Sequence, residues 1–552
     1  MIRADPSVPR RQANFGRLIE LYRLPYADTH RFAPLVLDHL AQDPFVRSLS
    51  DLPPTFEGLS EAARRRNFDP ERRRTLIEVL RSQYEGLELS EAVRANLDAL
   101  ARDGTLTVTT GHQLCLFTGP LYVPLKILNT VKIAARLSEG MGRKVVPVFW
   151  MATEDHDRAE IDHAWINGGK VEWKGVAGDA VGRLRLQGID PVIEAAAELL
   201  GPGEHALELV RSMQKCYRSE FTLAQATRLF VNELFGRFGI ICLDADDAGL
   251  KRSFIPVMRS ELLEGITAGT IAPATSAIAD RYKVQANSRE INLFHLSEGA
   301  RARIERTKDG GFAIEGKERR SSRQELLEEL DRHPDRFSPN VLLRPLYQET
   351  ILPNVAYIGG GGELAYWLQL KPLFEHFEVP MPVLLLRSSV AILAKKEADR
   401  AADLGLSVGD LFRPAEQLEQ QVAIRNAGFS TGMEQERSQL RSFYALLEER
   451  AASIDPTLVR SAGSAAHLAF KGIDHMEKRF IRAAKRKAAD SIGRLHMVLD
   501  ALFPNGGLQE RRDNLMTFTS GRGTRLFDDL YDLLDPLDQQ FTVLIDDPTD
   551  RG

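Results

Sequence analysis

Apolar residues recur at three- and four-residue spacing, with charges between them, from about residue 14 to residue 102. "FGRLIELYRL" and "RRTLIEVLRSQYEGL" carry the pattern most clearly, and both predict helices. Near residue 105 the period changes. "GTLTVTT" predicts a strand and "KVVPVFWMA" a second, with a helix, "PLKILNTVKIAARL", between them. A strand–helix–strand unit of that length suits a parallel pair. Three more buried strands are predicted in "FGIICLDADD", "PNVAYIGGGGE" and "MPVLLLRSS". Apolar strands alternating with helical stretches predict an α/β protein with a doubly wound parallel sheet.

Two segments interrupt this alternation. Residues of about 168–200 are Gly-spaced and read as short strands, "GGKVEWKGVAGDAVGRLRLQG". Residues of about 277–335 read as a small antiparallel meander, "NLFHL" followed by "ARIERTKDGGFAIEG", with its turn at Asp309-Gly310-Gly311. Both are expected as insertions on a core that spans residues 1–387. From 388 to 505 a helical domain is predicted. Its two long helical patterns, "MEQERSQLRSFYALLEERAASI" and "HLAFKGIDHMEKRFIRAAKRKAADSIGRLHMVLDAL", meet near Asp455-Pro456. Leu440, Phe443, Leu446 and Leu447 share one face, and Phe470, Ile473, Met476, Phe480, Ile481 and Ala484 share a face of the other helix. This predicts an antiparallel helical hairpin of coiled-coil type. Its apolar stripe either packs on its own domain or meets a second copy, and the homodimer is the expected outcome. Residues 506–552 form a short tail returning to the core.

With 552 residues, 43% of them hydrophobic, the chain is too long for one core. A net charge of −5 builds no basic field for nucleic acid. The longest apolar runs, such as 145–152, are strand-length, so no span of a membrane is expected. The first residues carry no apolar stretch of the secretory kind. Cys115, Cys216 and Cys242 have neither metal-site nor CxxC spacing, which fits a reduced, cytoplasmic setting.

In open α/β sheets ligands bind beyond the carboxyl ends of the strands. Four of the predicted strands end in residues that carry chemistry. The first ends in Thr110-Gly111-His112-Gln113, the second in Glu154-Asp155-His156-Asp157, the third in Asp244 with Asp246 and Asp247, and the fourth in Gly359-Gly360-Gly361-Gly362-Glu363. The glycines before a helix would let backbone approach an anion. The Glu-Asp-His-Asp cluster could bind a metal, hold an ammonium or supply a general base. A solvated acidic loop is the bland reading. No HExxH or P-loop accompanies these residues. The His-Gln turn loosely resembles the His-containing signature of class I nucleotidyltransferases.

The blocks "TTGHQLCLFTGPLYVPLKI", "VPVFWMATEDHDRAEIDH", "LLRPLYQETILPNVAYIGGGGELAYWLQL" and "MPVLLLRSS" together resemble the cysteine-adding enzymes of bacillithiol biosynthesis. The resemblance covers essentially the whole chain. It implies a Rossmann-like core resembling class I nucleotidyltransferases, with inserted segments and a C-terminal coiled coil used for dimerisation. It also implies a ligase that joins cysteine, through its carboxyl group, to the amine of glucosaminyl malate. Carboxylate activation calls for ATP. His112, Gly111, Gln113, Thr118 and Gly359, Gly360, Gly361 and Gly362 would then hold the nucleotide. Asp155, His156, Asp157 and His112 would serve catalysis. Glu154, Arg344, Gln348, Tyr357, Glu363, Tyr366, Gln369 and Arg387 would bind substrates, the two arginines meeting carboxylates. Two positions depart from the family's usual pattern: His112, where Gln is common, and Gly361, where Pro is common. No resident metal is expected. The rival readings are a metal-dependent hydrolase built on Glu154–Asp157 and a non-catalytic coiled-coil scaffold.

Overall fold

A computed structural model describes residues 10–14, 17–175, 180–316, 320–427 and 432–547, with side chains from residue 20 onward. Five parallel strands form the central sheet: β1 (Leu106–His112), β2 (Val145–Met151), β3 (Ile241–Asp244), β4 (Asn354–Gly359) and β5 (Val383–Leu386). Their order is β5-β4-β1-β2-β3. Helices cover both faces, so the strands bury nearly every side chain and read as continuous apolar runs. The twenty-residue helix α1 (Tyr122–Met141) carries the chain from β1 to β2. From β1 the chain winds outward in one direction to β2 and β3. It later returns to the other side of β1 as β4 and β5. The strand order therefore reverses between β1 and β4, and a crevice opens there at the carboxyl ends.

The sequence of β1 explains how that seam is held. Thr107 and Thr109 both donate hydroxyls to Asn354 Oδ1, at 3.3 and 2.9 Å, and Thr110 donates to the Ile358 carbonyl at 2.7 Å. The turn after β1 places Phe117 and Thr118 at φ of 54° and 70°, where side chains are disfavoured. Asn514 from the tail holds it, donating to the carbonyls of Phe117 and Gly119 at 3.0 and 2.7 Å.

Several expectations need correction. "FGRLIELYRL" is a strand, Arg17–Pro25, rather than a helix. It pairs antiparallel with Gln540–Asp546, Leu21 opposite Leu544, and that distant partner overrides a short pattern compatible with either period. Gln540–Asp546 also pairs parallel with Val390–Ala394. The helical region expected from 388 thus begins with a strand, and the tail, expected to return to the core, helps to build a second, four-stranded sheet. In the first insertion the strands begin earlier, as a His163–Ile166 and Gly169–Glu172 hairpin. Its later part is a helix, Asp190–Leu200, with Pro191 in its first turn. The second insertion is the antiparallel sheet its pattern predicted, with Gly310 at φ 83° in the turn.

The hairpin consists of α3 (Glu434–Ile454) and α4 (Thr457–Lys487). Asp455 Oδ1 caps the second helix, accepting from the Thr457 N–H at 2.8 Å. Arg437 near the start of α3 pairs with Asp474 and Glu477 of α4, so the helices run against one another. No residue of α3 is buried, and Phe443 and Leu446 are 57% and 68% exposed, so they do not form the seam expected of them. The half-buried positions, Arg437, Leu440, Tyr444, Glu448 and Ala451, follow three- and four-residue spacing.

Gly119 tests the turn after β1. Its φ is 74°, and an added Cβ would lie 2.5 Å from Cys115 Cβ. Gly119→Ala is expected to destabilise the protein by more than about 1 kcal/mol. An unchanged thermal midpoint would contradict this.

Candidate active site

The crevice between β1 and β4 opens into a cavity of about 820 Å³. One buried ammonium spans the seam beneath it. Lys126 of α1 donates from Nζ to the Gly111 carbonyl at 2.5 Å and to Glu363 Oε2 at 2.6 Å. Glu363 begins the helix α2 (Gly361–Trp367) and also accepts from the Gly360 N–H at 2.7 Å and from Tyr357 Oη at 2.5 Å. Burial opposes its charge, but Lys126 and the Gly360 N–H outweigh that and hold the carboxyl at about 2. Lys126 is itself lowered, chiefly by burial, with Glu363 opposing. The two strand ends that line the crevice are thus tied by one ion pair.

Twelve of the residues singled out from the sequence meet in this cavity: Gly111, His112, Gln113, Glu154, Asp155, Arg344, Tyr357, Gly360, Gly362, Glu363, Tyr366 and Arg387. Others lie elsewhere. Thr118 is buried in the turn before α1. Gln348 is buried behind the wall, bonded to Arg344 and Glu349. Gln369 is also buried, donating to the Ala286 carbonyl at 3.0 Å and so holding a wall segment. His156 stands at the rim, half exposed, with its ring against Phe294, and Asp157 is exposed. Gly359 and Gly361 serve packing. An added Cβ at Gly359 would lie 3.1 Å from the Tyr357 ring, and one at Gly361 3.0 Å from Val36 Cγ2. The glycine run is therefore not a free cradle of amides, since the Gly360 N–H already serves Glu363.

Five arginines and four carboxylates line the cavity. Most are paired. Glu154 lies 2.6 Å from Lys251, which also meets Asp246 at 2.8 Å. Burial works to lower Lys251, but Glu154 and Asp246 raise it, so it stays charged. Asp155 accepts from Gln113, from the His156 N–H at 2.7 Å and from Arg301 at 3.4 Å. Burial works to raise its carboxyl, but His156 and Arg301 outweigh that and hold it well below the usual carboxylate range. A carboxylate so acidic is a poor base near neutral pH and a good anchor for a cation. Arg387 is buried against Glu510 at 2.7 Å. Arg344 differs. Its side chain lies among the Trp150, Tyr357 and Trp367 rings, and its hydrogen bonds go to Gln348 and Tyr366. Among the described residues it has no ion-pair partner. Arg289 and Arg511, on the same walls, likewise have none among the described residues. The surplus charge is positive, and the cavity suits an anionic ligand.

His112 is partly open to the cavity, with Nε2 3.0 Å from Tyr122 Oη. Burial, then the charge of Lys126, push its pKa down to about 3. Its ring is neutral at working pH. The Glu154 and Asp155 carboxylates diverge onto separate cations, Lys251 and Arg301, and among the described residues no three His, Cys, Asp or Glu side chains gather in a metal-binding group.

Sequence reasoning missed Lys126, Lys251 and Arg301. The first two carried a signal: each is a lysine inside an apolar helical stretch, "VPLKIL" and "AGLKRSF". Arg301 carried none, since it arrives from the inserted sheet.

These features define a class: a doubly wound α/β protein with an anion-accepting crevice at the switch point of its sheet. Comparison with known proteins narrows it. Residues 19–388 match the N-terminal Rossmann-like domain of bacillithiol biosynthesis BshC, and residues 390–545 match its C-terminal coiled-coil domain. The chain belongs to the BshC family. A relative from Christiangramia forsetii, named "Putative cysteine ligase BshC", is 39% identical over 94% of this chain and 98% of its own length. Relatives of the same name from Flavobacterium johnsoniae and Cytophaga hutchinsonii are 37% and 36% identical, over 94% and 92% of this chain and 99% and 96% of their own.

The depressed His112 pKa makes a prediction about stability. The unfolded chain binds a proton at this residue below about pH 6.5, whereas the folded protein does not until about 3. The contribution is therefore complete above the unfolded value and is lost as pH falls. Between about pH 7 and about pH 5 the natural protein should lose more thermal stability than His112→Gln. Parallel losses in the two proteins would contradict the placement of His112.

Proposed function

We propose that the protein is an amide-forming ligase that joins cysteine, through its carboxyl group, to the amine of glucosaminyl malate. Membership of the BshC family supports this, as do the names its relatives carry. The observation that carries it is the Arg344 guanidinium, without an ion-pair partner among the described residues, in a crevice where three of the four lining carboxylates, Glu154, Asp155 and Glu363, are already paired. That arrangement attracts carboxylates or phosphates, and the acceptor and the nucleotide are both anions.

ATP supplies the activation, because a free carboxylate does not condense with an amine in water. The residues present fit such a polyanion: His112 and Gln113 at the end of β1, Gly362 opposite, and Arg289 and Arg511, without ion-pair partners among the described residues, line the same cavity. They would hold the nucleotide. Asp155, fixed as an anion, would receive the ammonium of cysteine. Arg344 would take a carboxylate of malate. The attacking amine must lose a proton. His156 is the base offered for it, half exposed at the rim. The core is read as resembling class I nucleotidyltransferases, and the site as cytoplasmic.

The assay combines purified protein, ATP, cysteine and glucosaminyl malate and reads products by mass. Amide formation should require all three substrates. His156→Ala should slow it by about 10²-fold or more while cysteine-dependent ATP consumption survives better. No amide product, or normal ligation by folded His156→Ala protein, would count against the reading.

The hairpin supports a homodimer, read as an antiparallel coiled coil meeting a second copy. Phe443, Leu446, Ile454 and Leu468 are 57%, 68%, 70% and 69% exposed, an apolar surface left open along both helices. The intact protein should show a dimeric mass by light scattering, and Phe443→Ser with Leu446→Ser should shift it to monomer. A monomeric mass for the natural protein would refute this.

A further inference from the structure

We infer that Gln348 and Glu349 are positioning residues that aim the Arg344 guanidinium into the crevice without cancelling its charge. The inference rests on the reading that Arg344 receives a carboxylate of the acceptor.

Arg344 opens the helix Arg344–Ile351, and Gln348 lies one turn further on the same face. Arg344 Nη1 donates to Gln348 Oε1 at 3.0 Å, and Nη2 to Tyr366 Oη at 3.3 Å. An amide can turn either edge toward a neighbour, and its NH₂ edge would repel a guanidinium. Glu349 removes that choice. Its Oε1 accepts from Gln348 Nε2 at 2.8 Å and from Asn354 Nδ2 at 2.8 Å. The Gln348 nitrogen must therefore face Glu349, which leaves its carbonyl oxygen for Arg344. Burial raises the Glu349 carboxyl, yet a proton on it would sit on Oε2, and Oε1 would accept as before.

The chain of contacts continues outward. Arg66 lies 3.8 Å from Glu349 and donates to the Glu349 and Leu352 carbonyls, both at 2.6 Å. Asn354 in turn takes the hydroxyls of Thr107 and Thr109 on β1. A rigid polar network thus ends at one guanidinium. Its last link is a neutral amide, which fixes direction and leaves the positive charge for a ligand. A carboxylate at 348 would fix the direction equally well and neutralise the site.

The test uses the full-length protein, with L-malate binding measured by calorimetry and the KM for glucosaminyl malate measured alongside. Arg344→Ala should weaken malate by about 100-fold. Gln348→Leu, of similar size and apolar, should raise the KM for glucosaminyl malate and weaken malate by about tenfold. The KM values for ATP and cysteine and kcat should stay near their natural values, a split that general loosening of the fold would not give. Glu349→Gln should move the same two quantities in the same direction, since its side chain no longer dictates which edge Gln348 presents. If Glu349→Gln does not fold, Gln348→Leu decides. Weak malate binding in Arg344→Ala with unchanged binding in folded Gln348→Leu would overturn this inference and leave the role of Arg344 standing. Unchanged binding in Arg344→Ala would overturn both.

Discussion

A single buried ammonium holds the active crevice open in one shape. Lys126 reaches across the point where the sheet reverses, from the carbonyl that ends β1 to the carboxylate that starts α2. A fully buried lysine is tolerated only when its charge is met, and removing one partner of such a pair typically costs about 3–5 kcal/mol. The two lips of the crevice therefore cannot drift apart without exposing an unpaired charge in the interior. The pair also explains the glycine run more simply than an anion cradle does. Glu363 must approach the Gly360 amide and Tyr357 while α2 packs on Val36, and side chains at 359 and 361 would obstruct that approach.

The same rule, charge met by charge, shapes the rest of the cavity. Glu154 answers Lys251, Asp155 answers Arg301, and Arg387 answers Glu510. Each pair joins segments distant in sequence, so the insertions and the tail are tied to the strand ends by the groups that line the site. Among the described lining residues, Arg289, Arg344 and Arg511 are left over against one carboxylate, Glu160, so the remainder is positive, and Arg344 within it is held by neutral partners only. Binding specificity follows from that remainder more than from the count of charged residues, because a paired ion offers a ligand little.

The five core strands and the residues at their ends were legible because period and punctuation agreed: buried runs of strand length, each stopped by polar or glycine residues. His112, Asp155 and Glu363 stand at predicted strand ends, where the switch-point rule puts a crevice, whereas Arg344 enters only through the family resemblance. The Arg17–Pro25 strand was not legible, since its pairing partner, Gln540–Asp546, lies at the other end of the chain. Lys126 was passed over inside an apolar helix, and only the geometry gives it two partners. Gln348 and Gln369 were placed on the correct wall but one layer too far inward to touch a ligand, a distinction of a few ångströms that spacing along a helix does not resolve. Which residues of the stripe close the hairpin and which face outward, as Phe443 and Leu446 do, was not legible, because an apolar stripe does not say which of two surfaces each residue meets.

The central claim is that ligands bind where β1 and β4 part. Amide hydrogen exchange on the intact protein, with and without ATP and cysteine together, tests it most directly. The account predicts slowed exchange at residues 110–113 and 359–363, the backbone around the Lys126 clasp. Protection confined to other parts of the molecule, with these two segments unchanged, would contradict it.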